Sequence, residues 1–532
     1  MMNRIPLTVG VTGHIDLREQ DRNILYRTVT QELEQIRDRY PHTPLRMINS
    51  LAAGADLLCA EAGEALGIPL TAALPMEEAE YRKEFDAEAL ARFEHQLRRA
   101  DTVIVAPAAE QEPAEERRSF RYRQAGICLA EHSHVLLALW DGKEQPGKEA
   151  GTAATVRCAL EGDWNPERGL PVSSGNNTGV IHIMTPRGND GSGNAGEVRR
   201  LGDSKALEAV FAKTEEFNTL AEETELPDQE PLLPPEDTQN PEMQTLEALY
   251  HTADGLSMRF ARQFRGLLAG LALAGTALTM AFLMYDDAEL KPLILGCGAA
   301  LIIAFLLFRF AERTACHRRF LDYRALAEAL RVQLFLRYAG SGIQAQRVMT
   351  WTQKQENTWI MCAMCAVNAV PLPEQKSEIL DCWVKGQRDY HRHAGEQSAA
   401  QQQKQNRVLR FAMAVSIISY LILLVYELVH GGLLLAPVYV LKDPEKVRTV
   451  MKVVMGTVSA GTLFMAGYYG KMSLSRVTGD HEKMVAFYEK AAGRIARCGV
   501  NEQMLETLAR EELTENGNWS SYQRDNAPEL NI

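Results

Sequence analysis

Four uncharged apolar stretches in the second half of the chain decide its class. They are residues 266–285 (GLLAGLALAGTALTMAFLMY), 292–308 (PLILGCGAALIIAFLLF), 411–426 (FAMAVSIISYLILLVY) and 453–470 (VVMGTVSAGTLFMAGYYG). A helix needs about 17–25 mostly apolar residues to cross the hydrocarbon of a bilayer, and buried helices of soluble proteins are rarely this apolar in pairs. The two middle stretches are short, so their flanking residues must snorkel or their helices must stand upright. The sequence predicts an all-α membrane region of two transmembrane hairpins, at 248–310 and 407–472.

If the chain crosses the membrane as two hairpins, the basic residues that flank the four stretches lie on the same side of it. They are Arg259, Arg262, Arg265, Arg309, Arg313, Arg318, Arg319, Lys404, Arg407, Arg410, Lys471 and Arg476. Lys and Arg concentrate in cytoplasmic loops, so both termini, the helical insert 311–406 and the C-terminal part 473–532 are predicted to be cytoplasmic. The second connection fits less well, because Lys442, Lys446, Arg448 and Lys452 would lie outside. Its apolar run 431–441 is too short to cross a bilayer.

Small residues recur on two of the predicted spans. Gly266 and Gly270 form a GxxxG pattern, and Gly456 with Ala460 repeats the spacing. Such spacing lets helices approach closely in lipid, which favours bundling and a homo-oligomer. No predicted span carries a charge at its middle, which argues against an ion relay.

Charge and cysteine usage exclude several classes. The 532 residues carry a net charge of −12, which argues against DNA or RNA binding. The apolar run 5–11 is too short for a signal peptide, so the front of the chain is expected to stay in the cytoplasm. Nine cysteines without a framework indicate reduced thiols. Cys362 and Cys365 form a lone CxxC with no second pair at zinc spacing, so no metal site is predicted.

The first 187 residues alternate strand and helix patterns, which predicts a parallel sheet of the Rossmann-like α/β class. Continuous apolar runs, typical of buried parallel strands, occur at 7–11, 45–49, 69–74, 102–106, 135–140 and 180–184. Amphipathic segments lie between them, at 21–38, 77–100 and 120–132.

Residues suited to ligand binding follow four of these strands. They are Thr12, Gly13 and His14; Ala53, Gly54 and Asp56; Asp141 with Gly151, Thr152 and Ala153; and Arg187. The carboxyl ends of strands in open α/β sheets form the ligand crevice, where small residues and helix N-termini suit a phosphate. Glycine after a strand is also ordinary turn chemistry. His14 is either a turn histidine bonded to local backbone or, with Asp16 or Asp56, an acid–base group.

The segments VGVTGHIDL, INSLAAGADLLCAEAGEALGIPL, LALWDGK and GTAATVR resemble the SLOG superfamily. This Rossmann-like group includes cytokinin-activating phosphoribohydrolases, the DNA-processing protein A family and nucleotide-sensing domains of bacterial conflict systems. The resemblance covers residues 5–187 and implies a nucleotide pocket lined by the glycine turns named above, without another cofactor. The phosphoribohydrolases carry Gly-Thr-x-x-Glu with a catalytic glutamate. Thr155 stands at that position here, so the resemblance favours a sensor over a hydrolase, with no catalytic residue assigned.

The remaining segments complete the predicted organisation. Residues 188–247 are rich in Gly, Pro, Asn and acids, which predicts a mobile linker with one helix over 204–220. The motif YRALAEALR at 323–331, Trp359 and WVKGQRDYH at 383–391 resemble SLATT-type effector regions of bacterial defence systems, which are thought to form pores. Tyr323, Arg324 and Glu328 can also be explained as residues that pair helices.

Together these resemblances predict a multi-pass protein of the bacterial inner membrane. Its expected function is a membrane effector gated by a nucleotide second messenger in antiphage defence, pore-forming or membrane-disrupting. One alternative is a membrane-tethered nucleotide hydrolase or N-glycosidase that uses the same pocket. Another is a membrane scaffold whose pocket only stabilises the fold.

Overall fold

The structure is a computed structural model that describes residues 3–106, 117–144, 150–162, 179–187, 194–227, 229–234, 240–371, 379–429 and 443–525. The predicted apolar run 431–441 and Lys442 lie outside these residues. Contacts divide the chain into two compact units. Unit 1 comprises Met1–Asp254, Ala325–Ser377 and Asn501–Gly517, and unit 2 comprises Gly255–Arg324, Glu378–Val500 and Asn518–Ile532.

The described strands all belong to unit 1. They are β1 (Leu7–Gly13), β2 (Leu45–Asn49), β3 (Leu70–Leu74), β4 (Thr102–Val105), β5 (Val135–Trp140), β6 (Gly179–Met184) and β7 (Val198–Leu201). The described helices are α1 (Arg22–Arg39), α2 (Ala55–Ala65), α3 (Glu78–Tyr81), α4 (Ala87–Arg99), α5 (Arg117–His132), α6 (Thr152–Glu161), α7 (Ser204–Glu223), α8 (Pro241–Asp286), α9 (Leu293–Thr314), α10 (Cys316–Tyr338), α11 (Ala345–Val348), α12 (Trp351–Glu356), α13 (Thr358–Val367), α14 (Gly386–Val429), α15 (Pro444–Met472), α16 (Leu474–Cys498) and α17 (Glu502–Asp525). Helices α8, α10 and α17 contribute residues to both units.

The seven strands form one sheet in the order β4-β3-β2-β1-β5-β6-β7. All neighbouring pairs are parallel except β6 and β7. The six predicted strands are confirmed, and β3 and β5 are buried along their whole length, as expected of strands covered on both faces. The chain lays down β1 to β4 in one direction and then returns to place β5 on the other side of β1. The strand order therefore reverses between β1 and β5.

The helix predicted over 77–100 is broken in two. Helix α3 runs into a 3₁₀ turn at Arg82–Glu84, and α4 begins only after Asp86. The Asp86 carboxylate accepts the backbone N–H of Ala89 at 2.8 Å. An aspartate at the helix N-cap is a strong start signal, which explains why a new helix begins there.

The segment predicted as a linker, 188–247, contributes to unit 1. Strand β7 pairs antiparallel with β6, and α7 buries Val210, Phe211 and Phe217. The side chain of Asn218 is fully buried and satisfies both backbone groups of Ile5, at 2.8 Å to the N–H and 2.9 Å to the carbonyl. These two hydrogen bonds offset the cost of burying the Asn218 amide. Residues 188–193, 228 and 235–239 are outside the described part of the segment.

The insert predicted at 311–406 is divided between the units. In unit 1, α13 contacts α5 and α7, and the His132 Nδ1–H donates to the carbonyl of Cys365 at 2.8 Å. Ala369, just after α13, joins Ile48, Ala73 and Leu129 in a buried apolar cluster. The insert therefore supplies part of the layer that covers the sheet.

The two thiols of the CxxC in α13 are protonated. Both cysteines are reduced, and burial raises the pKa of the Cys365 thiol to about 12 and that of Cys362 still further. Thiols with such a pKa stay protonated at neutral pH and are poor nucleophiles.

Glu328 belongs to a buried ionic cluster. Arg331 lies 2.5 Å from Glu328 and 3.6 Å from Glu512 of α17, and all three side chains are at most 6% exposed. Paired charges are the condition under which such groups tolerate burial. Glu328 thus pairs with Arg331 of its own helix, and Arg331 makes the contact with α17.

Unit 2 holds most of the apolar sequence. Four described helical segments are long and apolar enough to span a membrane: Pro241–Asp286, Leu293–Tyr338, Leu380–Val429 and Glu445–Cys498. At most 11% of each apolar window is buried within the protein, which leaves Leu295 and Leu463 more than 70% exposed. Such exposure is costly in water and favourable in hydrocarbon, so these features are consistent with a membrane protein.

Glycines allow the apolar helices to approach closely, and two of the three predicted glycines, Gly270 and Gly456, lie at such approaches. A Cβ at Gly270 would lie 3.1 Å from Leu307 of α9, whereas one at Gly266 would meet open space. The closest approaches join α8 and α15: a Cβ at Gly275 would lie 2.6 Å from the Phe464 ring, and one at Gly456 2.5 Å from Leu283. The GxxxG pattern therefore contributes one of its two glycines to helix contacts.

Two ion pairs lie near the ends of α8 and α14 that precede their connections to the next helix. Lys452 is 3.1 Å from Asp287, and Arg448 is 2.5 Å from Glu427. Two of the cations that fitted poorly with the predicted orientation are thus paired with acids.

Candidate ligand-binding site

The carboxyl ends of β1 and β5 form the centre of the candidate site, because the strand order reverses between them. The turn after β1 is fixed by the His14 N–H, which donates to the carbonyl of Leu139 on β5 at 3.0 Å. The Ala55 N–H, at the start of α2, donates to the His14 carbonyl at 2.9 Å. The turns after β1 and β2 and the end of β5 are therefore joined directly, as the sequence predicts.

His14 is neutral in this arrangement. Its Nε2 accepts the backbone N–H of Asp141 at 3.1 Å, so that nitrogen carries no proton. Burial lowers the pKa of His14, and the nearby Asp141 carboxylate only partly opposes this. Although Asp141 Oδ1 lies 3.4 Å from Nε2, the lowered pKa means that no ion pair forms at neutral pH. His14 therefore acts as a hydrogen-bonding turn residue that connects β1 to β5.

Gly54 caps α2 where the chain passes closest to the β1 turn. Its φ of +79° is in the region that favours glycine. A Cβ there would lie 2.4 Å from the carbonyl oxygen of Ile15 and 2.6 Å from that of His14. Gly13 is similarly crowded, since its Cβ would lie 2.3 Å from that of Ala55. Both glycines are required by close packing.

Asn49, which the sequence analysis did not single out, organises the turn after β2. Its side chain is fully buried, donates to the Asp56 carbonyl at 2.8 Å and accepts the Leu51 N–H at 2.7 Å. These bonds hold Leu51 in a left-handed conformation with φ of 56°. The available signal was a polar residue that ends an otherwise apolar strand.

Asp56 is a buried acid. Burial raises its pKa to about 8, although the Ala52 N–H donates to its carboxyl at 3.3 Å. The side chain is therefore largely protonated at neutral pH. It contributes no negative charge that would repel a phosphate.

Asp56 should give the protein a distinctive pH dependence. A carboxyl with a raised folded pKa stabilises the fold fully below its unfolded pKa, and this stabilisation is lost as pH rises to about 8. Burial lowers the pKa of His134 to about 4, so below pH 6.5 this residue makes the free energy of unfolding rise with pH. Between pH 6.5 and 8 the Asp56 effect acts without that opposition and should lower the free energy of unfolding by about 2 kcal/mol. Urea unfolding of the full chain in detergent at pH 6.5, 7.2 and 8 measures this.

Asp56→Asn provides the control, since asparagine can still accept the Ala52 N–H and does not titrate. The variant should show a flatter curve over the same pH range. Equal slopes for both proteins would contradict a buried, protonated Asp56.

Arg187 lies at the crevice in an exposed ion pair. Its Nε and Nη2 each lie 3.0 Å from an oxygen of Asp16, and the two side chains are 38% and 51% exposed. Exposed pairs contribute little to stability, typically about 0–1 kcal/mol. A phosphate could therefore displace the Asp16 carboxylate at small cost.

Helix α6 offers the open helix N-terminus of the site. Gly151 caps it with φ of +102°, and a Cβ there would meet open space. No described residue accepts the backbone N–H groups of Thr152 and Ala153, whereas the Ala55 N–H of α2 is occupied by His14. Unoccupied N–H groups at a helix N-terminus are suited to an anion.

A cleft of about 190 Å³ adjoins this N-terminus, between α5 and α6. Gly151, Arg123 and Arg157 are among its lining residues. The arginines were not predicted as site residues, although Arg157 lies in the GTAATVR motif. The cleft thus combines a helix N-terminus with the side chains of two arginines and one acid, Glu161.

Thr155 has a packing role. It is buried, its hydroxyl donates to the Gly151 carbonyl at 3.2 Å, and a Cβ on Gly126 of α5 would lie 2.4 Å from that hydroxyl oxygen. The side chain therefore fills the contact between α5 and α6.

The structure joins the predicted residues in two groups. The first comprises Gly13, His14, Gly54, Asp56 and Asp141, with Thr12 buried at the end of β1 and Ala53 in the intervening turn. The second comprises Gly151, Thr152 and Ala153 at the start of α6, of which Gly151 lines the cleft. Arg187 affects His14 electrostatically and belongs with the first group. No described hydrogen bond or ion pair links the two groups.

No group of His, Cys, Asp or Glu among the described residues could hold a metal ion. No family model matches the chain, and no curated protein matches it.

Proposed function

We propose that this protein is a nucleotide-gated membrane effector, with a SLOG-like sensor in unit 1 and an effector region in unit 2. The ligand is a phosphate-bearing nucleotide second messenger. The apolar helices cross the inner membrane as two hairpins and the protein acts as a homo-oligomer in antiphage defence. The SLATT-like motifs and the basic flanks support this membrane assignment with both termini in the cytoplasm.

The observation that carries the proposal is the open N-terminus of α6 beside a cleft. Its first N–H groups, which no described residue accepts, and the helix dipole favour a phosphate, and Arg157 adds positive charge. The neighbouring α2 terminus has its first N–H occupied by His14. The phosphate is therefore assigned to α6.

Arg187 supplies a second contact for the nucleotide. Its partner Asp16 is exposed, so exchanging that carboxylate for a ligand phosphate costs little. Such an exchange would release Asp16 and change the turn after β1. A messenger gates the protein only if it favours one arrangement of this kind over another.

The packing of Thr155 favours a sensor over a hydrolase. Thr155 packs against Gly126 and carries no carboxylate, so the position that would carry a catalytic glutamate has a packing residue instead. The neutral His14, with Asp16 or with the protonated Asp56, is the remaining acid–base arrangement for the alternative enzyme. Consumption of the bound nucleotide by the purified chain would favour that alternative.

Gly151→Glu should weaken ligand binding. The new side chain would enter open space and place its own carboxylate at the α6 N-terminus, where it competes with the phosphate. We expect affinity to fall at least ~10-fold, which corresponds to about 1.4 kcal/mol. The measurement is calorimetric titration of the full chain in detergent with a panel of cyclic oligonucleotides and ADP-ribose derivatives.

Gly151→Ala is the matched control, since it brings the same backbone strain without the charge. It should bind more tightly than Gly151→Glu. Failure of every nucleotide to bind the wild-type protein contradicts the proposed function, and equal binding by Gly151→Glu contradicts the assigned anion site. Ligand-dependent leakage of liposomes that contain the protein tests the effector step.

A further inference from the structure

Two of the four apolar helices end in a one-residue break. Ala315 separates α9 from α10 with φ of 45° and ψ of 34°, and Ser473 separates α15 from α16 with φ of 48° and ψ of 35°. Both residues are left-handed although neither is glycine, which is an unfavourable conformation. Both breaks follow the apolar stretch of their helix by a few residues. Of the other two apolar helices, α8 is followed by the left-handed Glu289 within its connection to α9, and the described residues of α14 include no left-handed one.

The final turns of α17 contact the chain after the first break. The Trp519 ring packs edge-on against Phe320 of α10, with centroids 5.5 Å apart and planes at 82°. Arg524 lies 3.8 Å from Asp322, also on α10. We call Trp519, Tyr522 and Arg524 the C-terminal clasp.

The clasp also contacts the second break. The Tyr522 hydroxyl is 3.0 Å from the hydroxyl of Ser473, the break residue itself. The guanidinium of Arg476, in the first turn of α16, lies over the Tyr522 ring, 4.0 Å from its centroid. This is close enough for a cation–π interaction. One short segment of α17 therefore touches both helices that begin at a break.

We propose that the C-terminal clasp is a latch that holds both breaks in their left-handed form and couples them. Strained backbone persists where surrounding contacts enforce it. When the clasp is released, Ala315 and Ser473 leave the left-handed region, and the angles between α9 and α10 and between α15 and α16 change together. The latch is a property of unit 2 and does not depend on which ligand, if any, the sheet binds.

Hydrogen–deuterium exchange of the full chain in detergent tests the latch. Tyr522→Phe removes one hydroxyl and Trp519→Ala removes the contact with Phe320. Each should raise exchange several-fold across both breaks, at residues 312–322 and 470–480. The control is Tyr469→Phe, which removes a tyrosine hydroxyl from α15 near the second break but outside the clasp, and it should leave both segments unchanged.

A reciprocal variant covers the case in which the clasp variants fail to fold. Valine is strongly disfavoured in the left-handed region, so Ala315→Val should release the first break. Because coupling is reciprocal, exchange should then also rise in the clasp at 518–525 and at 470–480. If the clasp variants raise exchange only within the clasp, or if Ala315→Val raises it only around residue 315, the latch is contradicted.

Discussion

Replacing Gly54 with alanine is expected to remove most of the stability of unit 1. The new Cβ would lie 2.4 Å from the Ile15 carbonyl oxygen, and no side-chain rotation can separate these two atoms. The left-handed conformation adds its own cost. Together these effects should lower the free energy of unfolding by about 3 kcal/mol or more. Urea unfolding of the full chain in detergent, followed by far-ultraviolet circular dichroism, measures the change.

Gly67→Ala separates the two effects. Gly67 has φ of +66°, but a Cβ there would meet nothing within 4 Å. The control should therefore show the conformational cost alone, about 1 kcal/mol. If the two variants lose equal stability, the close approach between the β1 and β2 turns is not a feature of the folded protein.

Gly275→Leu should be the most damaging substitution among the apolar helices. A Cβ at Gly275 already lies 2.6 Å from the Phe464 ring, so a leucine must displace that ring and separate α8 from α15. Overpacking of this kind should cost about 3 kcal/mol. The measurement is the thermal unfolding midpoint of unit 2 in detergent.

Gly266→Leu is the control on the same helix, with the same change in volume and no neighbour within 4 Å of the new Cβ. It should change the stability by less than about 0.5 kcal/mol. A large loss in the control with none at Gly275 would indicate that helix contacts follow the GxxxG pattern.

Local signals in the sequence were sufficient for most of the sheet. Strands such as β3 and β5 are buried on both faces, so they appear as uninterrupted apolar runs. Strand β7 lacks this signal, because it is a four-residue edge strand with Arg199 and Arg200 at its centre. Its identity depends on pairing with β6, which composition does not reveal.

The turns of the candidate site were predictable because glycine and small residues follow the strands directly. The roles of individual side chains were not. Whether Asp56 is charged depends on its burial, and whether Thr155 is catalytic or structural depends on Gly126, which comes from another helix. Likewise, only the folded chain shows that the His14 carbonyl accepts the first N–H of α2, whereas no described residue accepts the N–H groups of Thr152 and Ala153 in α6.

The division of unit 1 into three chain segments has a consequence for biosynthesis. Residues 325–377 follow two apolar helices and residues 501–517 follow all four, yet both segments belong to the same unit as the sheet. During translation, unit 1 therefore lacks its last segment until the fourth apolar helix has been synthesised. Incomplete chains expose apolar surface and are targets for chaperones and proteases. Completion of unit 1 thus follows synthesis of all four apolar helices, and a chain truncated before residue 501 has no complete unit 1.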